Sequence, residues 1–163
     1  MEELASRLET GRAAMAGLRG AVEGGEPWPL SEAYGAEPES DWGPKEVLAH
    51  VAEMAPYWLG QAEAIMASPT ESPPFGRVAT DPARIERIGN DRTLPAGELF
   101  DRIDLALADV AARLRRLDST EVALVGVHVR LGEMTVGAIF ERFVVAHVED
   151  HVRQLNEVLA THA

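Results

Sequence analysis

Apolar residues along this chain recur every three or four positions in four separate stretches, the spacing that gathers side chains on one face of an α-helix. In the first, over residues 2 to about 22, Leu4, Leu8, Met15, Leu18 and Val22 make the stripe, and Gly11 weakens its middle. Gly24-Gly25 followed by Pro27 and Pro29 is the Gly-then-Pro order that closes a helix. The second stretch starts at Trp42-Gly43-Pro44-Lys45-Glu46. Gly43 stands there near the N-cap, Pro44 takes the first helical position where its missing N–H does no harm, and Glu46 lies in the electropositive first turn. Val47, Leu48, Val51, Met54, Trp58, Ile65 and Met66 continue it, with His50 among them. Pro56 falls inside this pattern, where it removes the bond to the Ala52 carbonyl and predicts a kink.

Leu99, Ile103, Leu107, Val110, Leu114 and Leu117 predict a third helix over residues 95 to 117. The fourth runs from Gly132-Glu133-Met134-Thr135 to about residue 160, on Val136, Phe140, Phe143, Val144, His147, His151, Leu155 and Val158. Between these lie residues 24 to 41, and residues 68 to 94, which are rich in Ser, Pro, Gly, Thr and Asp. The second of these is too long to be structureless, so a short helical turn near residues 83 to 88 and an excursion across the molecule are expected, in a position to cover a site. Residues 122 to 129 are β-branched enough to form a short extended piece. The expected architecture is all-α: one domain over residues 1–163, a four-helix bundle with long connections that need not run simply up and down.

Composition removes several function classes. A net charge of −12 disfavours a nucleic-acid surface, which needs clustered cations, and an anionic membrane. Lys45 is the single lysine. With no cysteine, disulfides, thiolate nucleophiles and thiolate metal sites are excluded, so a metal would be held by histidine, carboxylate or water. The start of the chain shows neither a basic nor an apolar leader segment, and no run of about 18 apolar residues occurs, so cytoplasmic residence is the expectation.

Five histidines are present. His162 is near the C-terminus and expected in solvent, and His128 lies in the connection before the fourth helix. His147 and His151, four apart, share one helix face, and that face is apolar. A buried imidazole must be hydrogen-bonded or ligated, since leaving it unsatisfied costs about 1–3 kcal/mol. A lone histidine on an apolar face is ordinarily a core residue bonded to a backbone carbonyl. The conjunction of His50 on one helix with the pair on another changes the balance, because three neutral imidazoles can then meet at one point. Zinc, nickel or iron(II) suits that set, and three protein ligands leave a position open, as in catalytic sites. Glu46, one turn before His50, could orient that ring, act as a base or serve only the helix dipole. Glu149 and Asp150 turn away from the pair; Tyr57, Trp58 and Met54 read as core or pocket wall.

Two segments carry a resemblance. Trp42-Gly43-Pro44-Lys45-Glu46-Val47-Leu48-Ala49-His50-Val51 resembles the W-S-x-x-E-[IV]-L-x-H-[LV] start of the second helix in the DinB/YfiT-like four-helix-bundle metalloenzymes. The order His128-Val129-Arg130-Leu131-Gly132-Glu133-Met134-Thr135, then His147, His151 and Gln154-Leu155, is similar to the same family, so the resemblance spans nearly the whole chain. It implies an up-down-down-up bundle, a divalent metal, often nickel or zinc, on His50, His147 and His151, and frequent homodimers. It further implies transferase or isomerase chemistry on a small-molecule substrate with a low-molecular-weight thiol such as mycothiol or bacillithiol. One related branch, the mycothiol-dependent maleylpyruvate isomerases, has a carboxylate in the triad, where this chain has only histidine. Gly43 departs from the Ser or Thr usual before the second helix, losing a capping side chain. A metal-dependent hydrolase is the rival within the enzyme class. The alternative outside it is a stress-associated or small-ligand-binding bundle whose metal is structural or vestigial.

Overall fold

A computed structural model describes residues 1–31, 38–68 and 70–162 of the chain. All four periodic stretches are helical. The first is divided at Leu18 into α1 (Glu2–Gly17) and α2 (Arg19–Gly24). α3 (Pro44–Met66) begins as the Gly43-Pro44 pair predicts, with Gly43 extended at the N-cap. It runs unbroken through Pro56, which lies on the exposed side of the helix, where the lost bond faces away from the core. The long connection holds a helix of ten residues, α4 (Pro82–Asp91), capped by the Asp81 side chain accepting from the Arg84 N–H at 3.0 Å. α5 (Ala96–Arg116) and the short α6 (Ser119–Ala123) follow.

Where the sequence predicts one extended piece, a small sheet forms. β1 (Pro74–Phe75) pairs parallel to β2 (Val125–His128), which pairs antiparallel to β3 (Gly132–Thr135). The segment expected to open the fourth helix is therefore the return strand of a hairpin, and Thr135 at its end caps α7 (Val136–Phe140) by accepting from Ala138 N–H. A π-helical turn, Glu141–Val145, joins α7 to α8 (Ala146–His162). Its extra residue shifts the buried stripe, so that Ile139, Val145 and Val148 join Phe140, Val144 and Leu155 in the core, while Phe143 and His147 stand half-buried beside it.

Ion pairs and ring contacts fix the direction of each helix. α1 runs against α5, because Arg12 meets Asp104 while Arg115, farther along α5, meets Glu9. α3 runs with α5: Lys45 at its start bonds the Leu94 carbonyl just before α5, and Arg113 near the end of α5 reaches Glu63. α8 runs against α3, since His50 meets His147 and His151 while Trp58 stacks on Phe143. The result is an up-down-down-up four-helix bundle, in which the connection between the parallel helices α3 and α5 has to return along its length. α1 and α8 lie side by side at Gly11, where a Cβ would stand 3.0 Å from Val148 Cγ1, so the glycine that weakens the helix also lets its neighbour approach. Among the described residues, no helix is long and apolar enough to cross a membrane.

Candidate metal centre

The histidines of α3 and α8 converge. His50 Nε2 is 3.0 Å from His147 Nε2, and His151 Nε2 is 3.1 Å from the same atom. His50 and His151 are buried, at 3 % exposure each, whereas the His147 side chain is 30 % exposed and forms the open edge of the group. The sequence predicted all three inside the seam; the π-helical turn brings His147 to its rim instead.

Hydrogen bonding assigns the ring tautomers. The Gln154 amide faces the backbone carbonyls of Glu39, at 2.6 Å, and Trp42, at 3.5 Å, so its NH₂ must donate to them. Its oxygen therefore faces His151 Nδ1 at 2.9 Å, and that nitrogen must carry the proton. His151 Nε2 is left with a lone pair directed at the cluster. His50 Nδ1 is buried with no hydrogen-bond partner among the described residues, and the Glu53 carboxylate stands 4.0 Å away. A proton on that nitrogen, facing the carboxylate, again leaves the Nε2 lone pair at the centre.

Lone pairs within this distance repel unless a proton or a cation lies between them. A cation bonded at about 2.0–2.1 Å sets neighbouring nitrogens about 3.3 Å apart in a tetrahedral site, near the separations found here. The residues thus fit a divalent ion, and the imidazole donor set is of the zinc, nickel and iron(II) type. Burial lowers the pKa of His50 well below its usual value, reinforced by the neighbouring rings of His151 and His147. Burial lowers His147 and His151 as well, the latter against the opposing hydrogen bond to Gln154. All three are neutral at pH 7, which is the ligating state.

A cleft of about 180 Å³ opens beside the cluster, lined by His50, His147, Glu39, Trp58 and Phe143, and by Arg77, Val78, Ala79 and Arg84 of the long connection. Trp58 and Phe143 stack at 4.1 Å and 9°, and His128 lies against Phe143 at 5.4 Å. The long connection does cover the site: Arg77 bonds Glu53 at 2.6 Å and stacks on Tyr57 at 3.7 Å, and Arg84 pairs with Glu39.

His128 does not join the cluster. It is buried at the sheet, with Nδ1 accepting from the Arg130 and Leu131 N–H groups at 3.2 and 3.3 Å and its ring over Gly76. A Cβ at Gly76, where φ is +84°, would fall 2.3 Å from that ring, so both backbone and space require glycine. His162 is exposed, as expected. Glu46 is fully buried but turned from the site: its Oε1 accepts from Arg92 at 2.9 Å and from Ser31 N–H at 3.3 Å, so it holds the connection and does not orient His50. Glu53 takes the place beside His50 Nδ1 that the sequence reading offered to Glu46.

Glu39, Arg77 and Arg84 have no helical periodicity to mark them, since they reach the site from the connections and the start of α4. Glu39 sits in a single 3₁₀ turn, Glu39–Asp41, ahead of Trp42. Its carboxylate, with the three imidazoles, completes a group whose candidate ligand atoms all lie within 4.8 Å of one another.

An up-down-down-up bundle with histidines of its second and fourth helices meeting in the interior, under a covering connection, defines a recognisable class of protein. The chain belongs to the DinB superfamily, whose family model matches residues 8–155. Its fold is similar to that of YfiT from Bacillus subtilis, described as "a probable metal-dependent hydrolase with an unusual four-helix bundle topology". The likeness covers 99% of this chain and 89% of that one at a TM-score of 0.73, with 15% sequence identity, a level that shows the fold alone. No curated protein matches the chain significantly in sequence.

Proposed function

We propose that this protein is a divalent-metal-dependent enzyme of the hydrolase type, with His50, His147 and His151 as ligands and a small-molecule substrate in the adjoining cleft. The observation that supports this most is the convergence of three imidazole Nε2 atoms, that of His151 in a ligating tautomer fixed by Gln154, with one edge of the group open to the cleft. A bound divalent ion supplies Lewis acidity and a nucleophile activated at neutral pH.

The chain's own residues do the rest. Gln154 holds the His151 ring by its Nδ1 atom, as outer partners of metal-ligating histidines do, and the Glu53 carboxylate faces His50 Nδ1 from 4.0 Å. The Trp58–Phe143 stack offers a flat apolar wall to a substrate and keeps water from that side. Arg77 and Arg84 fix the covering connection over the cleft through Glu53 and Glu39. YfiT's description as a metal-dependent hydrolase agrees with this reading.

The thiol-dependent transfer implied by the sequence resemblance separates from hydrolysis in one assay. Zinc- or nickel-loaded protein is offered chromogenic esters and amides with and without an added low-molecular-weight thiol. Turnover without thiol that is lost on chelation and restored by metal supports the hydrolase. Turnover only with thiol, and transfer of the acyl group to it, would replace this assignment with a transferase.

A further inference from the structure

The imidazole cluster leaves one neighbour without a part: Glu39. Its Oε2 stands 3.7 Å from His147 Nε2 and 3.9 Å from His50 Nε2. Its other oxygen pairs with Arg84, which is buried and also donates to the Ala79 carbonyl at 2.9 Å. An ordinary salt bridge would account for that much. It does not account for Gln154, which binds the His151 ring through its oxygen and the Glu39 backbone carbonyl through its nitrogen. One side chain thereby sets both an imidazole and the backbone of the carboxylate facing it. Such coupling is what a ligand group requires, and a solvent-side ion pair has no need of it.

Given the metal reading above, on which this rests, we propose that Glu39 is a fourth and exchangeable ligand of the ion held by His50, His147 and His151. Neighbouring ligands of a tetrahedral ion lie about 3.3 Å apart, so Oε2 is only a few tenths of an ångström outside that spacing. A carboxylate also offsets part of the charge that three neutral imidazoles leave on a divalent ion. Exchangeability follows from its surroundings. The Glu39 side chain is about one-third exposed, at 32 %, and it lines both the cleft on the Trp58 side and a second one bounded by His151, Asp150 and Gln154. With Arg84 already on its other oxygen, it can leave the ion without being left unpaired. An incoming substrate group would then take its position.

The test uses cobalt(II) as the probe metal, in the full chain, with affinity measured against a competing chelator and the visible spectrum recorded. Wild type, Glu39→Gln, Asp150→Asn and His147→Ala are compared, with thermal melting to confirm that each is folded. Asp150→Asn removes a nearby exposed carboxylate that lines the second cleft, and so reports the effect of charge alone. The expected result is that Glu39→Gln binds 10- to 100-fold more weakly and changes the cobalt spectrum, whereas Asp150→Asn shifts affinity less than about threefold and leaves the spectrum unchanged. Adding acetohydroxamate, a chelating probe for the metal, should make the wild-type and Glu39→Gln spectra coincide, because Glu39 has withdrawn. Equal affinity and identical spectra for wild type and Glu39→Gln would overturn the ligand assignment. A spectral difference that survives saturating acetohydroxamate would overturn exchangeability. Failure of the wild type to bind cobalt better than His147→Ala would instead remove the histidine site itself.

Discussion

The α1–α5 and α3–α8 pairs are both antiparallel helix contacts in one bundle, yet they treat polar groups in opposite ways. Between α1 and α5 the polar residues stay at the rim, as Arg12–Asp104 and Arg115–Glu9, over apolar side chains such as Leu8, Met15, Ile103 and Leu107 that are almost wholly buried. Between α3 and α8 they go inside: His50 and His151 are as buried as the core around them. Water can serve the first set, whereas the second depends on Gln154, Glu53 and whatever lies between the rings. The first interface is apolar packing under a polar rim, and the second gives up some of that packing to bury imidazoles.

Leu107→Ala should break the comparison most heavily on the first side. It removes a fully buried side chain, and unfolding by denaturant should show a loss of about 2–5 kcal/mol, with metal binding in the folded protein nearly unchanged. Gln154→Leu should do the converse. The protein stays folded while zinc or nickel affinity, measured by chelator competition, falls about 10- to 100-fold, because His151 loses the partner that fixes its tautomer.

Acid should act on the second side too. The folded-state pKa values of His50, His147 and His151 lie below the unfolded value near 6.5, so between the two the unfolded chain binds more protons. The metal-free protein should therefore lose stability as the pH falls from about 6.5 towards 5, and His50→Gln should flatten that slope. A denaturation midpoint independent of pH in this window would show the rings to be unburdened by their burial. The smallest effect belongs to Arg12→Ala. Its pair with Asp104 is part-exposed, so the expected cost is about 0.2–1 kcal/mol, shrinking in added salt.

The contrast also explains what could be read before the fold was known. Helical periodicity reports residues that face a core, so Leu99 through Leu114 and the seam carrying His50 and His151 were legible, as was the start of α3 at Gly43-Pro44. The candidate cluster of His50, His147 and His151 followed because its members were read on those same stripes. Glu39, Arg77 and Arg84 arrive from connections, where no period marks direction, and their part in the site depends on how the chain crosses the bundle. The π-helical turn at Glu141–Val145 was hidden for a related reason: one extra residue in a helix leaves no local signature, yet it moves His147 from the seam to the rim of the cleft. Gln154 stood in the sequence beside a motif, but its role needed the two carbonyls of Glu39 and Trp42 to be brought across from another part of the chain.

The metal content of protein produced without a histidine tag or added metal, set beside His147→Ala, tests the central claim most directly. The half-exposed ring can be removed with little harm to the core, so both proteins should fold. The account predicts close to one divalent ion per wild-type chain and almost none in the variant. Equal content in the two would contradict it.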